Sequence, residues 1–176
     1  MSLIGFGLIV YLAIHVIYST YSAKRKVNSM EFLVLSRLEI GDFSTDKKHI
    51  IISIMDPNDS EGPAKIPENK NNIGILTLAF HDLDGKAFPQ PPTEYILFDS
   101  KMAKQIIDFV NNFILWDLEL IVCQCEAGIS RSAGVAAALA KCINGNDKYF
   151  FEHYIPNSLV YSLILKENYE GGENAI

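Results

Sequence analysis

The chain is poor in cysteine: Cys123, Cys125 and Cys142 are the only three in 176 residues. An odd number without regular spacing argues against a disulfide scaffold. Positive charge is also scarce. Fifteen Lys and Arg stand against 21 Asp and Glu, a formal net charge of -6, which leaves no basic footprint for nucleic acid. Internal repeats and low-complexity tracts are absent, so neither a solenoid nor a disordered tail is in view. What remains is a composition 49% hydrophobic and 20% charged. That suits one packed domain with a short appendage.

The appendage is at the N-terminus. Leu3 to Ala23 carries no Asp, Glu, Lys or Arg, and a helix of that length just crosses a bilayer. Lys24, Arg25 and Lys26 follow at once. Basic residues on that flank alone predict an outside N-terminus and a domain on the cytoplasmic side. A cleaved secretory signal would carry its positive charges before the apolar core. The alternative is a hydrophobic helix or strand packed on the domain. Residues 1–29 are thus read as a hydrophobic segment serving as a membrane anchor, and 30–176 as the domain.

Within the domain, Phe32 to Leu35 reads as a short strand and Ile40-Gly41-Asp42 as a turn. His49 to Ile54 is a continuous β-branched run, expected of a strand buried on both faces. Asp56-Pro57 ends it, and the polar stretch 58–73 is a surface loop. Ile75 to Phe80 gives another strand. Asp99-Ser100 caps a helix with apolar positions from Met102 to Phe113 at helical spacing. Trp116, in the next link, reads as core. The aromatic run from Tyr149 to Tyr154 is expected to pack under a final helix that Pro156-Asn157-Ser158 starts. The tail from Glu170 to Ile176 reads as frayed. Strands separated by loops and helices predict an α/β fold with a central, mainly parallel sheet flanked by helices.

The stretch that organises the chain is Leu118 to Leu139. It is a buried strand, a tight loop and a helix of small residues. The loop reads Cys125-Glu126-Ala127-Gly128-Ile129-Ser130-Arg131-Ser132. A loop of this length can turn several backbone N–H groups on one point, a nest for an anion that the following helix N-terminus reinforces. Gly128 permits a positive φ. Arg131 can grip two phosphate oxygens with its planar fork. Cys125 lies at the base, where the same field favours the thiolate.

CEAGISRS resembles the signature loop of the protein-tyrosine phosphatase superfamily: cysteine, five residues, arginine, then serine or threonine. Its surroundings resemble the small dual-specificity-like phosphatases, including their Pro-Asn before a final helix. The resemblance covers about Phe32 to Tyr169. It implies a three-layer dual-specificity-phosphatase-like domain, here with an N-terminal hydrophobic helix. It also implies a phosphate site formed by Glu126, Ala127, Gly128, Ile129, Ser130 and Arg131, a Cys125 nucleophile and a Ser132 that assists the departing thiolate. An aspartate upstream protonates the leaving group; Phe80-x-Asp82 matches the family arrangement, with Asp84 the runner-up. The chemistry needs no metal or cofactor. Cys123 is either a redox partner of Cys125 or a buried structural thiol.

One departure matters. The family usually has histidine before its cysteine, and here Gln124 stands there. Glutamine donates hydrogen bonds but carries no charge, so it favours the thiolate less. The expected function is hydrolysis of phosphotyrosine, and of phosphoserine or phosphothreonine, in a phosphorylated protein substrate. A phosphoinositide phosphatase is the second reading, disfavoured because Glu126, Ala127 and Ile129 are not basic. A weak or non-catalytic phosphate-binding module is the third, motivated by Gln124.

Overall fold

The computed structural model describes residues 29–84, 94–172 and 175–176. Four strands, β1 (Glu31–Leu35), β2 (His49–Met55), β3 (Asn72–Ala79) and β4 (Leu120–Gln124), form one sheet in the order β1-β4-β2-β3. Every pairing is parallel. Among the described residues the sheet is therefore wholly parallel, in line with the mainly parallel sheet expected. Among the described residues five helices accompany it: α1 (Arg37–Gly41), α2 (Ser100–Phe113), α3 (Arg131–Asn144), α4 (Lys148–His153) and α5 (Ser158–Glu170).

The central strands β4 and β2 are covered on both faces, which is why they read as unbroken apolar runs. On one face Ile50, Ile52, Ile54, Ile121 and Cys123 meet the residues of α2, α3 and α5. On the other, Ile51, Leu120 and Val122 pack with Ile40 of α1 and Ala64. Among the described residues the third layer is thus one short helix and irregular chain. Helix α3 is buried from Arg131 through Ala140. Its small side chains allow this, and a Cβ on Gly134 would lie 2.9 Å from the Asn157 carbonyl.

Four local expectations are corrected. Ile40 and Gly41 belong to a helix, not a turn, because Ser36 and Glu39 form a capping box in which each side chain accepts from the other's backbone N–H. Those bonds also hold the Glu39 carboxyl below its ordinary pKa. Trp116 is 67% exposed; Phe109 and Phe113 of α2 pack against the core on that side. Of the aromatic run only Phe150 is buried; Tyr149 and Phe151 are about half exposed, although Phe151 still meets Tyr161 of the final helix edge-on. The tail folds back, since the Ile176 N–H donates to Asn168 Oδ1 at 2.7 Å and its side chain packs on the core. Among the described residues no helix is long and apolar enough to cross a membrane. The N-terminal helix read over Leu3 to Ala23 lies outside them.

Candidate active site

In a parallel sheet, ligand sites form beyond the carboxyl ends of the strands. Here the loop 125–130 joins the carboxyl end of β4 to the N-terminus of α3. Its carbonyls face outward. Glu126 O accepts from the Arg37 N–H at 3.1 Å, Ile129 O from Ile155 at 3.2 Å, and Ser130 O from Asn157 at 3.0 Å and Gly134 at 2.8 Å. A trans peptide points its C=O and the next N–H in opposite directions. The N–H groups of Ala127, Ser130 and Arg131 are therefore turned to the inside of the loop. Within the described residues they meet no acceptor outside the helix ladder, which suits an anion between them.

Gly128 allows the turn. Its φ is +67°, and a Cβ there would lie 2.6 Å from Ser36 N and 2.8 Å from Leu35 C. The loop is pressed against the β1–α1 junction, and the Cys125 N–H donates to Leu35 O at 3.2 Å. Gly128→Ala is expected to lower stability by about 2 kcal/mol, from strain at positive φ and the backbone clash. It should also open the loop. Thermal denaturation and the affinity for inorganic phosphate check this together.

Cys125 and Ser132 are both buried, with Sγ 3.0 Å from Oγ. The serine hydroxyl can donate to the sulfur. Behind them, Gln124 Oε1 accepts from Ser53 Oγ on β2 at 2.7 Å, and its Nε2 donates to Cys125 O at 2.8 Å. Gln124 thus orders the loop's entry through neutral bonds. Cys123 is fully enclosed, and burial, with Cys125 nearby adding to it, pushes its thiol far up. It is a poor nucleophile. Cys142 on α3 is also pushed up by burial, to about 11.

Arg131 is 3% exposed. Its Nη1 donates to Asp56 Oδ1 at 2.7 Å and to Phe80 O at 2.8 Å, which accounts for both Nη1 hydrogens. Nη2 is held loosely, 3.5 Å from Asp56 Oδ2. Nε is buried without a hydrogen-bond partner among the described residues. The outer corner of the guanidinium is anchored while the Nε–Nη2 edge is unclaimed. That edge is the one a phosphate would take with two parallel bonds.

Asp82 is brought to the loop. Its Oδ1 accepts from Ser130 Oγ at 2.7 Å and from Asn157 Nδ2 at 2.8 Å, and its Oδ2 lies 3.9 Å from Arg131 Nε. Glu126 turns its side chain to Arg37 Nε at 2.7 Å; that bond is the first cause holding the Arg37 guanidinium above its ordinary pKa. Ala127 and Ile129 are exposed on the rim. Beside the loop runs an open groove of about 470 Å³ lined by Asp56, Pro57, Asn58, Asp59, Ser60, Glu61 and Glu126.

Four contributors escape a reading of the sequence: Asp56, Ser53 as a partner of Gln124, Asn157 as a partner of Asp82, and Arg37. Only Asp56 left a usable trace, since it directly follows a strand in a parallel sheet.

No protein-family profile matches the chain. No curated protein matches it either. Among solved structures the fold is similar to that of a mouse candidate dual specificity phosphatase complexed with zinc tungstate, at 12% identity over 82% of this chain and 87% of that one, with a TM-score of 0.52. Looser overlaps are with a human tyrosine phosphatase-like serine/threonine/tyrosine-interacting protein (18% identity, 72% and 79% covered, TM-score 0.46) and with PTPMT1 in complex with PI(5)P (16%, 83% and 95%, 0.47). At such identities the likeness is one of fold. The resemblance to dual-specificity-like phosphatases seen in the signature loop thus extends to the architecture around it.

Proposed function

We propose that this chain is a cysteine-dependent phosphatase of the protein-tyrosine phosphatase superfamily, acting on phosphotyrosine and also on phosphoserine or phosphothreonine in proteins. The observation that carries the reading is the Arg131 side chain. It is buried and anchored at Nη1, while among the described residues Nε has no hydrogen-bond partner and Nη2 is held only at 3.5 Å. A structural arginine would have that edge satisfied.

The mechanism follows from the placement of the groups. The phosphoryl oxygens sit in the loop amides and on the Nε–Nη2 edge of Arg131, which stabilise charge on the equatorial oxygens. The Cys125 sulfur attacks phosphorus in line. An S–P bond forms as the P–O bond to the leaving group breaks, and Asp82 gives that oxygen its proton. The Asp82 carboxylate then takes a proton from water as the water oxygen attacks the cysteinyl-phosphate. Electrons of the S–P bond return to sulfur, which Ser132 Oγ stabilises.

Asp82→Ala tests the assignment of the acid. It should lower kcat/KM about 10²-fold or more for phenyl phosphate, whose leaving group needs a proton, and much less for para-nitrophenyl phosphate. If Asp84→Ala produces that pattern instead, the acid is Asp84. A phosphoinositide carrying further phosphates fits the site less well, because the groove beside the loop is lined by Asp56, Asp59, Glu61 and Glu126.

A further inference from the structure

We propose that Asn157 is a positioning residue for the acid: with Ser130 it fixes Oδ1 of Asp82 and so leaves Oδ2 as the oxygen that carries the transferable proton. This rests on the phosphatase reading and assigns a role to a residue outside the signature loop.

Asn157 is the N-cap of α5. Its Oδ1 accepts from the N–H groups of Leu159 and Val160, each at 3.1 Å. Those two bonds identify the oxygen end of the amide, so the nitrogen end must face the other way. There Nδ2 donates to Asp82 Oδ1 at 2.8 Å. A cap needs only an acceptor, and Ser, Thr or Asp would serve as well as Asn. The donor is surplus to capping, and asparagine carries it on a separate atom from the acceptor, facing the other way. The platform is rigid. Asn157 is buried, its N–H bonds Ser130 O at 3.0 Å, and Gly134 of α3 lies directly against its backbone. One residue thus ties together the start of α5, the phosphate loop and the acid.

Two donors fall on the same carboxylate oxygen. Oδ1 receives both Ser130 Oγ–H and Asn157 Nδ2–H, so a proton on Oδ1 would confront two others. The proton therefore sits on Oδ2. Oδ2 lies on the side of Arg131 Nε, at 3.9 Å, the unclaimed corner where the phosphoryl group binds. As the S–P bond forms, the electron pair of the breaking P–O bond goes to the leaving oxygen. That oxygen takes the proton from Oδ2 and Asp82 becomes a carboxylate.

Asn157→Asp separates the two roles, because aspartate keeps the cap and removes the donor. The full chain carrying N157D should stay folded at the assay temperature, with a lowered thermal midpoint from the second carboxyl oxygen turned toward Asp82 Oδ1. Its kcat/KM for phenyl phosphate should fall about tenfold, the worth of one charge-assisted hydrogen bond, with little change for para-nitrophenyl phosphate. In an Asp82→Ala background N157D should add nothing. Equal losses on both substrates, no loss on either, or a further loss in the Asp82→Ala background would each overturn the role of Asn157. If unaltered protein and Cys125→Ser turn over phenyl phosphate alike, the phosphatase reading itself fails, and this inference with it. Turnover that depends on Cys125 but has the same leaving-group dependence in N157D removes Asn157 alone.

Discussion

Cys125→Ser is expected to lower phosphomonoester turnover by at least about 10⁴-fold while leaving phosphopeptide binding nearly intact. A serine hydroxyl is a far weaker nucleophile than a thiolate, and the side-chain partner of the sulfur among the described residues is another hydroxyl, Ser132 Oγ at 3.0 Å, rather than a base. The phosphate cradle is built from backbone amides and Arg131, which the substitution does not touch. Steady-state kinetics on phosphotyrosine and phosphothreonine peptides, paired with a titration of the same peptides, read both halves. Equal slow turnover by the two proteins would reduce the molecule to a phosphate-binding module. The neutral Gln124, bonded to Ser53 Oγ and Cys125 O, is the feature that makes this contrast worth measuring.

Arg131→Lys should cost about 10²- to 10³-fold in kcat/KM, the usual loss when one preorganised donor to a developing anion is removed. It should also weaken inhibition by inorganic phosphate. Charge is conserved, so a simple Coulomb argument would predict little. The geometry predicts otherwise. Arginine anchors one nitrogen on Asp56 and Phe80 O and offers a second edge to the ligand. A lysine ammonium is a single point and cannot do both. If it keeps Asp56 it leaves the cradle; if it turns to the phosphate, Asp56 and a buried carbonyl lose their partner. A drop in stability of about 1–2 kcal/mol should accompany the kinetic loss, from the Phe80 carbonyl left unpaired. Wild-type kinetics in this variant would mean that the unclaimed edge of Arg131 does not meet substrate.

The parts of this architecture that were legible are those written in adjacent residues. The buried strands, the loop from Cys125 to Arg131 and the Asp99 and Asn157 caps all depend on neighbours in sequence. So did Phe80-x-Asp82, since β3 delivers that aspartate directly. What escaped depends on strand register. Ser53 meets Gln124 only because β2 and β4 pair in parallel with those two residues opposite each other. That same pairing carries Asp56 to Arg131. Nothing near Asp56 in the chain announces an arginine partner 75 positions away. Trp116 misled for a physical reason too. Its size argues for burial, but the core side of α2 is formed by Ala103, Ile106, Ile107 and Val110, and Trp116 lies past the end of that helix.

The strand order has a consequence for how the molecule comes into being. Strand β1 emerges early in synthesis, yet its sheet partner is β4, and the Arg37–Glu126 tie at their ends spans 89 positions. Until the later half of the domain is made, EFLVL waits as an unpaired apolar ribbon. Closing so large a loop before any reward is slow. The signature loop, cast against the β1–α1 junction, therefore takes shape in the last stage of assembly. A chain halted before β4 would present a sticky edge to chaperones and to its own copies alike.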